Sequence, residues 1–172
     1  KLSSNFSLPA GRFGVFKGIK NSLILDSSYN SSLEPAVGAL NALKEIAGEK
    51  RKVAILGDMR EMGSLSRIQH ELLVQEIVKT SNFAILIGPL MNEFVSPVLE
   101  KENFPFISFD SFKNAKESIL ESVKKEDVIL VKGSQNTLFL ERAVELLLAD
   151  KSDRDNLCRR GKYWDEIRRK TP

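Results

Sequence analysis

The sequence predicts an α/β protein in which a mostly parallel sheet lies between two layers of helices. Short apolar, β-branched segments recur along the 172 residues, and segments with helical spacing of apolar residues separate them. Strands that are apolar throughout are typical of parallel sheets, because helices cover both of their faces. Connections that contain a helix place successive strands parallel to one another, with right-handed crossovers.

Predicted strands and helices alternate from residue 23 to residue 148. The first helix begins near Pro35, which suits a first helical turn, and it ends before Gly48, a common stop signal. The alternation predicts a Rossmann-like three-layer sandwich. The strands are Leu23–Leu25, Lys52–Leu56, Phe83–Ile87, Pro105–Phe109 and Asp127–Val131, and the helices are Pro35–Ala47, Ser66–Lys79, Asn92–Lys101, Phe112–Val123 and Thr137–Leu148.

Composition divides the chain into three parts. Residues 1–22 include an alternating, glycine-containing segment from Arg12 to Ile19, which predicts a hairpin-like strand and a possible antiparallel edge of the sheet. Residues 23–149 form the predicted sandwich. Residues 150–172 are polar and basic, and we expect a last helix there, anchored by apolar residues such as Trp164. Because the chain opens without Met, we expect it to be part of a longer protein.

Composition also excludes several classes of protein. The hydrophobic content of 42% is ordinary for a globular protein, and no apolar segment approaches the roughly 20 residues of a membrane span. We expect no signal peptide, because the first five residues are polar, and the single Cys158 excludes an internal disulfide. We therefore expect a cytoplasmic protein. The basic residues after residue 150 favour a solvated helix face, with nucleic acid or an anionic surface as the alternative partner.

Polar loops follow four of the predicted strands. Because the carboxyl ends of parallel strands meet at one edge of a sheet, these loops predict a ligand cleft at that edge. The first strand lacks the Gly-x-Gly-x-x-Gly fingerprint, and the chain has no P-loop, so nucleotide chemistry would need phosphates held by another part of the protein. The four loops are Asp26–Asn30, Gly57–Gly63, Gly88–Pro89 and Lys132–Asn136.

Three residues in these loops carry the strongest functional signal. Asp58 follows a buried strand, where its charge suits an ammonium, a metal ion or a sugar hydroxyl. Lys132 and Ser134 place a charge and a hydroxyl on either side of a flexible glycine. Turn formation and helix capping are the alternative roles for such residues. His70, the single histidine, is more typical of a structural residue, but its position after the Gly-Asp loop makes it a candidate for contacting an anion.

Four motifs occur in an order and spacing that a known family shares. They are Leu8–Arg12, Leu25–Asn30, Gly57–Gly63 with His70, and Val131–Ser134. On these motifs, from about residue 8 to residue 148, the chain resembles the C-terminal domain of the Mur ligases. The resemblance implies that residues 1–22 lead in from an upstream ATPase domain, which would carry the P-loop that this chain lacks.

The resemblance also implies an activity for the full-length protein. It implies an ATP-dependent ligase of peptidoglycan precursor synthesis, which adds D-Ala-D-Ala to UDP-MurNAc-tripeptide through an acyl phosphate. The implied cofactors are ATP and Mg²⁺, with Mg²⁺ held mainly by the upstream domain and no metal ligand in this chain. The fragment alone would be inactive, and nucleic acid is not an expected partner. The alternatives are a related ligase with another amine, of the folate glutamate or cyanophycin type, and a non-catalytic binding module with a basic tail.

The implied roles follow from matching positions. The chain departs from the family at Ser27, where a second Asp usually grips the ribose, so either Asp26 serves the ribose or the contact is weaker. Gln135 stands near where an Arg often follows Lys-Gly-Ser, which leaves the contact to the dipeptide carboxylate open. The implied ATP-binding residues are Arg12, Asp26 and Asn30, the implied dipeptide-binding residues are Asp58, Lys132 and Ser134, and His70 and Asn136 are further candidates.

Overall fold

The computed structural model describes residues 9–133 and 138–171, and it confirms the predicted α/β class. Within those residues six strands form one sheet in the order β1-β2-β6-β3-β4-β5, and every neighbouring pair is parallel except β1 with β2. The predicted antiparallel edge strand is therefore confirmed. The strands are β1 (Gly14–Lys17), β2 (Leu23–Ser27), β3 (Lys52–Gly57), β4 (Phe83–Ile87), β5 (Phe106–Phe109) and β6 (Val128–Lys132).

Helices cover both faces of the sheet, which confirms the three-layer arrangement. They are α1 (Leu33–Ala47), α2 (Ser66–Thr80), α3 (Ser96–Lys101), α4 (Phe112–Ser122), α5 (Glu141–Leu147) and α6 (Lys162–Lys170). Helices α1, α2 and α3 pack on one face through residues such as Leu40 and Leu73. Helices α4 and α5 pack on the other face through residues such as Ile119 and Val144. Both layers bury apolar side chains of β3 and β6, and this burial is the main driving force for assembling the core.

Helix α2 packs on the sheet with only part of the inner side that its apolar spacing predicts. The spacing places Ile68, Leu72, Leu73, Ile77 and Val78 inside, but the side chains of Ile68, Leu72 and Val78 are 54%, 53% and 36% exposed. His70 is fully buried, and its hydrogen bonds fix the rotation of the helix so that Leu73 and Ile77 pack on the sheet. The prediction is wrong for Ile68, Leu72 and Val78 because a polar residue occupies a core position, which a hydrophobic pattern does not anticipate.

The C-terminal segment contains the helix α6, but it is not a purely solvated basic face. A 3-10 segment (Lys151–Asn156) precedes α6. Arg159 and Arg168 are buried, and both lie within salt-bridge distance of the buried carboxylate of Glu141. The solvated-face prediction is therefore wrong for these two arginines. None of the helices in the described ranges combines the length and the apolar character needed to cross a bilayer.

Candidate functional site

The carboxyl ends of β2, β6, β3 and β4 lie side by side at one edge of the sheet. In the strand register Ser27 pairs with Lys132, Lys132 pairs with Leu56, and Gly57 pairs with Ile87. The loops that follow these strands therefore emerge together, as the sequence predicts. Two clefts open among them, and each contains residues that the sequence analysis singled out.

The first cleft, termed the Arg12 cleft, lies between the loop after β2 and the segment before β1. It has a volume of about 420 Å³. Arg12 and Asn30 share it, as their common predicted role requires, and Lys132 enters it from the end of β6. Cations, hydroxyls and amides are the groups that bind phosphates and sugar hydroxyls. The lining residues are Gly11, Arg12, Phe13, Ser27, Tyr29, Asn30, Ser31, Ser32, Pro35 and Lys132.

Tyr29 joins the two walls of this cleft. Its backbone N–H donates a hydrogen bond of 3.0 Å to the carbonyl oxygen of Gly11. The guanidinium of Arg12 lies over the Tyr29 ring, 4.8 Å from its centroid, in a cation–π contact. The position of Arg12 in the cleft therefore depends on the position of the Tyr29 ring.

Asp26 lies behind the Arg12 cleft rather than in its wall. Its side chain is fully buried, and Oδ1 accepts a hydrogen bond of 3.0 Å from the backbone N–H of Ser28. Burial raises the pKa of Asp26, against the opposing effects of Ser28 and Arg159. Ser27, which stands where the second Asp of the family usually grips the ribose, lines the cleft, whereas Asp26 does not belong to its lining.

Lys132 is a buried cation at the base of the Arg12 cleft. Its Nζ donates hydrogen bonds to the carbonyl oxygens of Ser27, at 3.5 Å, and of Asn30. Burial lowers the pKa of Lys132 to about 8, because the charged form loses its hydration. The ammonium is therefore the main form at neutral pH, and it fastens the end of β6 to the loop after β2.

We expect the lowered pKa of Lys132 to appear directly in a titration. In ¹³C NMR of the lysine ε carbons, one signal should titrate near pH 8 because burial penalises the charged amine. The pKa of Lys132 in the folded chain lies below its ordinary value of 10.5, so at pH values between about 8 and 10.5 the unfolded chain binds more protons than the folded chain. The free energy of unfolding should therefore rise with pH in that window. Lys132→Met should remove the signal, and the exposed-site control Lys101→Met should retain it. A Lys132 signal that titrates above pH 10 would contradict the assignment.

The second cleft, termed the Asp58 cleft, lies between the loops after β3, β4 and β5. It has a volume of about 480 Å³. Arg60 and Asp110 were not singled out from the sequence, although both follow strand ends and the strand-end rule could have found them. Thr171 arrives from the C-terminal segment, which gave no such signal. The lining residues are Asp58, Arg60, Pro89, Leu90, Asp110, Ser111, Leu138 and Thr171.

Asp58 has a structural contact in addition to its place in the cleft. Its Oδ1 accepts a hydrogen bond of 2.9 Å from the backbone N–H of Met91. Burial raises the pKa of Asp58, and hydrogen bonds from the Met91 and Leu90 amides oppose that rise. Gly88 passes so close that a Cβ there would lie 2.4 Å from Asp58 Oδ1. Asp58 therefore ties the loop after β3 to the loop after β4.

His70 supports the Asp58 loop from behind. The backbone N–H of Met59 donates to His70 Nε2 at 3.1 Å, and Nδ1 lies 2.7 Å from the carbonyl oxygen of Ser66. Because Nε2 accepts, the ring is neutral, and Nδ1 carries the proton that it donates to Ser66. The ring is fully buried. In this structure His70 thus holds the residue after Asp58, and it contributes no atom to the described lining of either cleft.

The implied dipeptide residues are divided between the two clefts. Asp58 lines the second cleft and Lys132 lines the first. Ser134 and Asn136 lie outside the described residues. Within residues 9–133 and 138–171, no group of three His, Cys, Asp or Glu side chains could hold a metal ion.

The comparison with known proteins assigns the fold and these loops to one family. A family model described as "Mur ligase, glutamate ligase domain" matches residues 11–135. The chain belongs to the Mur ligase family. The match includes Arg12 and Lys132, so both walls of the Arg12 cleft are part of the Mur ligase domain. The segment after residue 135, which places Thr171 in the Asp58 cleft and Arg159 against the backbone of the loop after β2, lies beyond it.

Two curated Mur ligases are similar to this chain in sequence. The UDP-N-acetylmuramoyl-tripeptide–D-alanyl-D-alanine ligase of Rickettsia prowazekii is 29% identical over 138 residues, which are 78% of this chain and 29% of that protein. The ligase of the same name from Borreliella burgdorferi is 30% identical over 120 residues, which are 66% of this chain and 24% of that protein. The chain thus spans less than a third of the length of these relatives.

A solved Mur ligase structure has a similar fold. The MurF ligase of Thermotoga maritima, determined in complex with ADP, superposes with a TM-score of 0.67 at 23% identity. The superposition covers 99% of this chain and 34% of that chain. The similarity therefore includes the region after residue 135 as well as the residues that match the family model.

Proposed function

We propose that this chain is the C-terminal domain of an ATP-dependent ligase that adds D-Ala-D-Ala to UDP-MurNAc-tripeptide in peptidoglycan precursor synthesis. Residues 1–22 would lead in from the upstream ATPase domain, 23–149 would form the substrate-closing domain, and 150–172 would be its C-terminal segment. The observation that carries the proposal is the presence of two clefts at one sheet edge, one rich in cations and amides and one with carboxylates and an arginine. The relatives named above support the same reaction.

The Arg12 cleft would receive the nucleotide. Arg12 and the Lys132 ammonium suit negatively charged phosphate oxygens, whereas Ser27 and Asn30 suit ribose hydroxyls. Asp26 would act from behind the cleft by ordering the turn that carries Ser27. Mg²⁺ would neutralise phosphate charge when bound, and its ligands would come mainly from the upstream domain.

The Asp58 cleft would receive the dipeptide, a zwitterion that needs groups of both signs. Asp58 and Asp110 suit its ammonium group, and Arg60 suits its carboxylate. The sequence left the contact to the dipeptide carboxylate open at Gln135. In this proposal Arg60, in the loop after β3, makes that contact. Lys132, which the family resemblance implies as a dipeptide-binding residue, is here proposed to bind the nucleotide, because it lines the Arg12 cleft.

The chemical contribution of this domain would be alignment. ATP would phosphorylate the terminal carboxylate of the tripeptide, and the dipeptide amine would attack the resulting acyl phosphate. The bound ammonium first gives up one proton to become the nucleophilic amine. The C–N bond then forms, the C–O bond to phosphate breaks, and the nitrogen loses a second proton as phosphate leaves. Correct alignment of two reactants can supply roughly 7–11 kcal/mol of the barrier reduction. Closing the two clefts over the acyl phosphate would also keep water from hydrolysing it.

We expect Arg12→Ala to weaken the use of ATP in the full-length protein. Loss of a charge-assisted hydrogen bond costs about 1.5–3 kcal/mol, so the KM for ATP should rise about 10- to 100-fold. The assay is phosphate release with tripeptide precursor and D-Ala-D-Ala. Arg67→Ala is the matched control, because Arg67 stacks on Phe94, 5.2 Å from its ring centroid, outside both clefts.

Two results would contradict the proposal. One is an unchanged KM for ATP in Arg12→Ala. The other is a wild-type enzyme that releases no phosphate with D-Ala-D-Ala but does so with glutamate, which would assign the domain to a ligase for another amine.

A further inference from the structure

We infer that Arg159, from the C-terminal segment, is a positioning residue for the loop 26–30 that forms one wall of the Arg12 cleft. The inference rests on the proposed function, in which this cleft receives the nucleotide. Arg159 is absent from the described lining of the cleft, so it would act through the loop and not on the ligand. Composition alone assigned this arginine to a solvated basic tail.

The guanidinium of Arg159 binds the backbone of the loop from behind. Nη1 lies 3.4 Å from the carbonyl oxygen of Ser28, and Nη2 donates to the carbonyl oxygen of Tyr29. The same guanidinium lies 5.3 Å from the centroid of the Tyr29 ring. A planar group with several fixed donors can hold two successive carbonyls in this way, which a single ammonium group does less well.

A buried carboxylate holds Arg159 in place. Nη1 donates to Glu141 Oε2 at 2.9 Å, and the side chains of Arg159 and Glu141 are 4% and 0% exposed. Glu141 is the first residue of α5, so the pair connects the loop after β2 to a helix of the core. In a buried ion pair, removing one partner leaves the other charge uncompensated, so the buried Glu141 carboxylate favours keeping the Arg159 guanidinium beside it.

The neighbouring residue extends the contact to the other wall of the cleft. The thiol of Cys158 lies 3.7 Å from the hydroxyl of Ser28. Gly11, whose φ is +74°, passes so close to this residue that a Cβ there would lie 2.9 Å from Cys158 Sγ. Residues 158 and 159 therefore pack against the loop after β2 and also against the segment that carries Arg12.

The Tyr29 ring transmits this support to the cleft. It contacts both Arg159, at 5.3 Å, and Arg12, at 4.8 Å. The next residue, Asn30, lines the cleft and is bound through its carbonyl oxygen by Lys132. Displacing Tyr29 would therefore move Arg12 and Asn30, two of the residues that the proposed function assigns to the nucleotide.

The test uses the full-length enzyme with the variants Arg159→Gln and Arg159→Lys. The matched control is Arg160→Gln, because Arg160 belongs to the same segment and its guanidinium hydrogen-bonds to α5, through Glu145 at 2.8 Å. The readouts are the separate KM values for ATP, tripeptide precursor and D-Ala-D-Ala, the Kd for ADP, and the thermal midpoint.

We expect Arg159→Gln to raise the KM for ATP and the Kd for ADP about 10-fold, the effect of losing one charge-assisted contact of about 1.4 kcal/mol, and to leave the other two KM values within about 2-fold. Arg159→Lys keeps a charge beside Glu141, so it should fold and show a smaller rise confined to ATP and ADP. If Arg159→Gln does not fold, Arg159→Lys decides the question. The control should match the wild type.

Equal changes in all three KM values, or a lower thermal midpoint with an unchanged Kd for ADP, would overturn the inference, because a merely structural role predicts them. If Arg12→Ala weakens ATP use while both Arg159 variants do not, the positioning role fails and the proposed function stands. A wild-type enzyme without ligase turnover overturns both.

Discussion

Replacing Gly88 with alanine should lower the free energy of unfolding of this chain by about 2–4 kcal/mol, the combined cost of backbone strain and overpacking. Gly88 has a φ of +123°, which an L side chain rarely adopts, and its added Cβ would lie 2.4 Å from Asp58 Oδ1 and 2.7 Å from Oδ2. The Asp58 carboxylate cannot move away from the added Cβ, because its Oδ1 accepts a hydrogen bond from the Met91 amide. Urea-induced unfolding followed by circular dichroism measures the change.

Gly38 provides a matched glycine for comparison. It lies inside α1, and an added Cβ would have no heavy atom within 4 Å. Gly38→Ala should therefore stabilise the chain by about 0.5–1 kcal/mol, since alanine loses less backbone entropy in a helix. If the free energy of unfolding of Gly88→Ala lies within about 0.5 kcal/mol of the wild-type value, the close approach between Gly88 and Asp58 is not a feature of the folded chain.

Asp58→Asn should separate the two roles of Asp58. Asparagine keeps a side-chain oxygen for the Met91 amide, so the fold should persist, but it loses the charge proposed to bind the dipeptide ammonium. A charged hydrogen bond contributes about 1.5–3 kcal/mol, so the KM for D-Ala-D-Ala in the full-length enzyme should rise about 10- to 100-fold. The KM for ATP should change little, because Asp58 lies outside the Arg12 cleft.

Asp58→Ala completes this comparison. It leaves the buried Met91 amide without its acceptor, so it should lower both the thermal midpoint and the use of the dipeptide, with a stability loss of about 1–3 kcal/mol. An Asp58→Asn enzyme with a normal KM for D-Ala-D-Ala would show that the carboxylate serves only to join the two loops.

The strand-end loops could be predicted because their position depends on local patterns. Each apolar strand followed by a polar loop is visible within about ten residues, and parallel strands place such loops at one edge. The division of those loops between two clefts could not be predicted. It depends on β6 lying between β2 and β3, a strand order that no local pattern records. For this reason Lys132 was grouped with Asp58 but lies beside Arg12.

The support behind the clefts is the other part that the sequence did not reveal. Arg159 and Tyr29 are 130 residues apart, and a buried arginine in a basic segment has the same local pattern as a solvated one. The structural role of His70 was also not visible in the sequence, because its hydrogen-bond partners, the backbone groups of Met59 and Ser66, can be identified only in the folded chain. Buried polar groups depend on partners that tertiary structure supplies.

The central position of the last strand also determines when the domain can fold during synthesis. Residues 23–27 and 52–57 are not hydrogen-bonded to each other but to β6, and Ser27 and Lys132 are 105 residues apart. A nascent chain that stops short of β6 exposes two apolar strand edges with no partner, the kind of surface that aggregates. The ribosome must therefore synthesise most of this chain before the sheet can close. A truncated messenger RNA that lacks the codons for β6 would give a chain that cannot complete its sheet and that proteases would degrade.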